Sequence, residues 1–179
     1  MNSNELVEFL KSRDIPYKEW GTGESKTLAH LLAEITYGEA KLEDEGDRVL
    51  RIVVGVGINV YFRQGQRILK LVEDKQVFLD GRKRHRSLPT SVGEKIKHGE
   101  SPDGAAERTM VEELGVIGVG LSNIGVEHRE PVPSTSYPGL WTQNTIYNYE
   151  TYLSPQHFHP EGYIEVQPDK TSYFIWQTI

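Results

Sequence analysis

The chain has 179 residues, 37% of them hydrophobic, a formal net charge of −6 and no cysteine. That length supports a real core in one domain with a modest extension, and the missing cysteines exclude disulfides, thiolate metal sites and cysteine nucleophiles. No apolar run approaches the roughly eighteen residues that span a bilayer, and the acidic balance disfavours nucleic-acid binding, which relies on many lysines and arginines.

The opening residues Met1, Asn2, Ser3, Asn4 and Glu5 lack the basic and then apolar order of a secretory leader, so a cytoplasmic location is expected. Residues 5–13 look helical and stop before Asp14-Ile15-Pro16. Leu28, Leu31, Leu32 and Ile35 recur at helical spacing, with Ser25 or Thr27 as cap and Gly38 as stop. With the acidic turn at Glu43-Asp44-Glu45-Gly46-Asp47 they form an N-terminal extension, residues 1–47, ahead of a domain over residues 48–179. Three tasks stay open for that extension: covering a sheet face, mediating a homodimer, or contributing to a pocket.

From Leu50 to Phe62, apolar residues at every second position alternate with Arg51, Gly55, Gly57 and Asn59, which predicts a strand with one buried face. Arg63-Gln64-Gly65-Gln66 makes a turn, Ile68, Leu69, Leu71 and Val72 return, and Asp80-Gly81 suits a hairpin tip. The basic run Gly81-Arg82-Lys83-Arg84-His85-Arg86 then admits two readings. It keeps a hairpin tip soluble, or Arg84 and Arg86, with Lys95 further on, attract a diphosphate.

Ser101 is a good N-cap, Pro102 suits the first helical position and Gly115 a stop, so a helix over Pro102–Leu114 is expected. Ala105, Ala106, Met110 and Leu114 are its core candidates, and Thr109 shares a face with Glu112 and Glu113. Beyond it, Trp141, Thr145, Tyr147, Tyr149 and Leu153 outline one strand and Tyr173-Phe174-Ile175-Trp176 another. Tyr137 and Trp141 flank a Pro-Gly reversal, where a ring either packs in a core or stacks on a base.

Residues 93–116 read G-E-K-I-K-H-G-E-S-P-D-G-A-A-E-R-T-M-V-E-E-L-G-V. This window resembles the Nudix box, G-x5-E-x7-R-E-U-x-E-E-x-G-U, with Glu100, Arg108, Glu112, Glu113 and Gly115 in register. Two positions depart from it: Glu94 stands at the box glycine, and Thr109 stands where a glutamate commonly binds metal or activates water. The resemblance implies an α/β fold, a Nudix-like α/β/α sandwich with a mixed sheet. It also implies Mg²⁺, or Mn²⁺, held by Glu100, Glu112 and Glu113, with Arg108 orienting the glutamates and Glu127 as a replacement base. The ligand it implies is a nucleoside diphosphate linked to a second group, bound by Arg84, Arg86, Lys95, Tyr137 and Trp141. Two outcomes follow from Thr109: a weak or specialised pyrophosphohydrolase, or a catalytically silent nucleotide-binding or regulatory/interaction module.

Overall fold

Each helix carries its own local start signal. The computed structural model describes residues 1–23 and 25–179. α1 (Ser3–Ser12) begins with a capping box, in which the Asn2 side chain accepts from the Glu5 backbone N–H and Glu5 accepts from that of Asn2. In α2 (Leu28–Thr36), Thr27 is the cap and His30 plays the reciprocal part. α3 (Pro102–Leu114) starts at Ser101, whose hydroxyl accepts from the Gly104 N–H at 3.1 Å, and ends at Gly115 with φ 66°. That left-handed position favours glycine, because a Cβ there would crowd the carbonyl.

The described residues fall into two compact units. The first comprises Met1–Gly55, Lys95–Glu100 and Glu127–Ile146. In it β1 (Lys41–Asp44) pairs antiparallel with the start of β2 (Val49–Gln64), Lys41 opposite Ile52 and Asp44 opposite Val49. Leu6, Leu10, Trp20, Leu31, Val49, Tyr137 and Leu140 form its apolar core. Tyr137 is therefore a core residue, packed 5.1 Å from the Trp20 ring, and the Trp20 indole N–H donates to the Pro138 carbonyl. The acidic stretch read as a turn is divided: Glu43 and Asp44 belong to β1, and the reversal closes where the Glu45 N–H donates to the Arg48 carbonyl.

The second unit comprises Val56–Glu94, Ser101–Val126 and Tyr147–Ile179. There β2 turns at Gly65 into β3 (Arg67–Phe78), with Gln64 opposite Arg67. The return is one unbroken twelve-residue strand, longer than the apolar residues alone mark out. β4 (Lys83–Arg84) follows the Asp80-Gly81 tip. β5 (Val92–Lys95) leads toward α3, and β6 (Ser122–His128) follows it. β7 (Val132–Pro133), in the first unit, pairs with the start of β8 (Trp141–Tyr152). β9 (Tyr163–Val166) pairs with β10 (Lys170–Thr178), which runs antiparallel along β3 with a register shift at Tyr173/Phe174. The strand order is β6-β8-β2-β3-β10-β9.

One buried face was expected along β2, and the strand differs. Arg51, Val53 and Gly55 are buried in its first half; Val56, Ile58, Val60 and Phe62 are buried in its second. The buried parity changes between Gly55 and Val56, so each half of the strand serves its own core.

Candidate functional site

α3 brings the box side chains onto different faces, as its 3.6-residue period dictates. Ala105, Ala106, Thr109, Met110, Glu113 and Leu114 are buried, while Val111 is exposed. Arg108 and Glu112 form an i,i+4 ion pair at 2.7 Å on the outer side. Thr109 is 0% exposed and its hydroxyl donates back to the Ala105 carbonyl at 2.7 Å, inside its own helix.

Glu113 is the unusual member. It is 8% exposed, and its Oε1 accepts a long bond from the Gly93 backbone N–H at 3.3 Å. Gly93 has no room for a side chain, since a Cβ would lie 2.8 Å from the Val56 carbonyl oxygen. α3 lies against β9, which carries Glu165. Burial, followed by the charges of Glu165 and Glu94, pushes the Glu113 carboxyl up to about 8. Glu73 adds to that repulsion, although it is itself bound by Arg86 through Nε at 2.8 Å and through Nη2.

The remaining expected site residues are placed as follows. Glu100 accepts from the Lys97 N–H at 3.0 Å within its own loop. Glu127 forms a two-pronged pair with Arg129, at 2.9 and 3.1 Å, and that bond lowers its pKa. Arg84 is exposed on β4. Arg86 is bound to Glu73, so its guanidinium already has an internal anion. Lys95 binds Glu34 and Glu39 in the first unit. Trp141 is half-buried beneath the Arg48 guanidinium, 5.3 Å from its ring centroid, beside a cavity of about 210 Å³ that Arg13, Asp47 and Gly139 help line. Tyr137, as a core ring, is not open to stacking on a base.

Among the described residues, no three His, Asp or Glu side chains converge as ligands of one metal ion. The donor chemistry around Glu113 nonetheless suits a hard cation, because the groups that repel its charge, Glu165, Glu94 and Glu73, are all carboxylates. Mg²⁺ is usually bound by one or two carboxylates and completed by water and phosphate oxygens, so a preformed cage is not required. Glu165 was not foreseen, because four-residue β9 carries too short an apolar pattern to stand out.

No family model matches the chain, and no curated protein matches it. Among solved structures it is similar to a MutT/nudix family protein from Enterococcus faecalis, with 17% identity and a TM-score of 0.49 over 85% of this chain and 51% of that one. This chain thus spans about half the length of that protein. It is also similar to the Ap4A hydrolase of C. elegans, with 13% identity and a TM-score of 0.41 over 71% and 80% of the two chains. A third is the Nudix domain of Shewanella oneidensis NrtR, complexed with ADP ribose, with 11% identity and a TM-score of 0.41 over 70% and 71%.

Proposed function

We propose that this chain is a slow Nudix-type pyrophosphohydrolase acting on a nucleoside diphosphate linked to a second group. The observation that carries this reading is Glu113, a carboxylate buried among Glu165, Glu94 and Glu73 at the end of the box helix. An anion so placed is poorly solvated and calls for a proton or a cation. Glu113 would hold Mg²⁺ or Mn²⁺, with Glu94 and Glu165 as the neighbouring carboxylates. When bound, the cation supplies polarisation of a phosphoryl oxygen and neutralises its charge.

The chain's own groups set the rate. Arg108 keeps Glu112 turned outward through their ion pair. Thr109 has neither the charge nor the pKa of a general base, and its hydroxyl is engaged with Ala105. Glu127 is a poor replacement, because Arg129 stabilises its anion and lowers its affinity for a proton. Slow turnover follows from the lack of an effective base.

The test is a panel of dinucleotide, sugar-nucleotide and nucleoside triphosphate compounds with Mg²⁺, read by release of phosphate or monophosphate. Slow, cation-dependent release that Glu113→Gln abolishes is expected. No release from any compound, or release unchanged in Glu113→Gln, removes the proposal. The engaged Thr109 hydroxyl favours a second reading, a silent binding module. That module would be stabilised by ligand without release, and Thr109→Glu would create turnover in it. A folded but inert Thr109→Glu variant counts against this version.

A further inference from the structure

The second unit holds a buried acceptor to which nothing donates. Gln76 on β3 is 2% exposed, and its Oε1 has no hydrogen-bond partner among the described residues. Its Nε2 donates to Glu73 Oε2 at 3.2 Å and to Ser172 Oγ at 3.3 Å. Glu73, ionised against Arg86, can only accept, so it fixes which end of the Gln76 amide is the oxygen. A buried carbonyl left unpaired costs free energy that a donor or a cation would recover.

Strand register identifies the surroundings of that oxygen. Ser172 on β10 stands opposite Gln76 on one side and opposite Glu165 of β9 on the other, with neighbouring strands about 4.8 Å apart. Glu73 and Gln76 are three residues apart, a spacing that points side chains to opposite faces of a regular strand. The register shift at Tyr173/Phe174 makes Asp74 an extra residue in β3 and returns both side chains to one buried face. α3 lies against β9, and the charges of Glu165 and Glu73 both act on Glu113. Glu73, Gln76, Glu113 and Glu165 therefore share one layer between the sheet and the box helix.

The neighbouring guanidinium groups do not fill the gap. Arg86 is bound to Glu73, and Arg84, opposite Gln76 on β4, is exposed; neither donates to Oε1. Glu165 accepts from the Gln167 amide and Glu113 from the Gly93 N–H, which leaves each carboxylate with acceptor capacity.

We propose that Gln76 Oε1 is a neutral ligand of the divalent cation assigned to Glu113 and Glu165, so that β3 contributes to the site as well as the box helix. The amide brings an oxygen without a charge, which suits a place where carboxylates already repel one another. Glu73 and Ser172 are positioning residues: they hold the amide nitrogen and so present its oxygen. This inference rests on the hydrolase reading for the cation alone and needs no turnover.

The experiment is titration of the full chain with MnCl₂ at pH 8 without nucleotide, read by the electron spin resonance of free Mn²⁺. Gln76→Leu is expected to bind Mn²⁺ at least about tenfold more weakly than the unaltered chain. Gln76→Glu keeps an oxygen in place and loses the bond to Glu73, so it is expected to bind no more weakly than the unaltered chain. Unchanged affinity in Gln76→Leu, with Glu113→Gln weakened, overturns this inference and leaves the hydrolase reading standing. Equal weakening in both Gln76 variants overturns it too, because Gln76 would then serve only to hold Glu73. Unchanged affinity in Glu113→Gln, or no binding by the unaltered chain, removes both. Should Gln76→Leu not fold, nuclear magnetic resonance of the unaltered chain decides: Mg²⁺ is expected to shift the side-chain amide signals of Gln76, and unmoved signals overturn the proposal.

Discussion

Glu34 and Glu113 are the same side chain buried to nearly the same degree, at 5% and 8% exposure, yet their surroundings drive them in opposite directions. Burial alone raises both carboxyls. Around Glu34, hydrogen bonds from Lys26 and Lys95 and the charge of Arg51 outweigh it and hold the pKa at about 2. Around Glu113, the neighbouring Glu165 and Glu94 add to it and carry the pKa to about 8. Burial sets the size of the penalty and neighbours set its sign. Glu34 finds its counter-charges within the chain, whereas the carboxylates around Glu113 favour its protonated or cation-bound form.

The largest effect should come from breaking the satisfied side of this pair. Arg51→Met removes both bonds to Glu34 Oε2 and leaves a buried carboxylate short of its two-pronged partner. A loss of about 3–5 kcal/mol in urea unfolding is expected at neutral pH. A loss under about 1 kcal/mol would mean the cluster is too hydrated to behave as buried. The depressed Glu34 carboxyl contributes stability that is present above its ordinary value near 4.5 and disappears as pH falls through about 2. The penalty of Arg51→Met should therefore shrink in that acid window and stay constant above it.

Glu113 should behave in reverse. Its folded pKa is raised, so its contribution is full below about 4.5 and is lost as pH climbs through about 8. Glu113→Gln, which cannot ionise, is expected to be more stable than the unaltered chain at pH 8 by on the order of 4 kcal/mol. The two stability curves should meet near pH 4.5. Mg²⁺ sharpens the contrast: at pH 8 it should raise the Tm of the unaltered chain and leave Glu113→Gln where it was. Equal shifts in both proteins would place the cation elsewhere.

What the sequence disclosed and what it concealed follow the range of the forces involved. α3 matches its expected limits, because Ser101, Pro102 and Gly115 act within one turn of the helix ends. The Asp80-Gly81 tip was legible for the same local reason. Both carboxylate environments were not. Glu34 stands beside the apolar stripe of Leu31 and Ile35 in a helix whose partners, Arg51 and Lys95, lie far along the chain. Glu165 sits on a strand too short to show alternation. The parity change in β2 was hidden too, since glycines at Gly55 and Gly57 have no side chain to register it.

The smallest effect bears on the position that departs most from the box pattern. Thr109→Val keeps the shape of the side chain and removes a hydroxyl whose acceptor, the Ala105 carbonyl, belongs to the same helix. A cost of about 0.5–1 kcal/mol is expected, the worth of one local hydrogen bond. Any phosphate release should be unchanged, because a hydroxyl directed at its own backbone is not directed at a ligand. A tenfold fall in release without a matching loss of stability would instead make that hydroxyl part of the reaction, and Thr109 would then be a working substitution for the missing carboxylate.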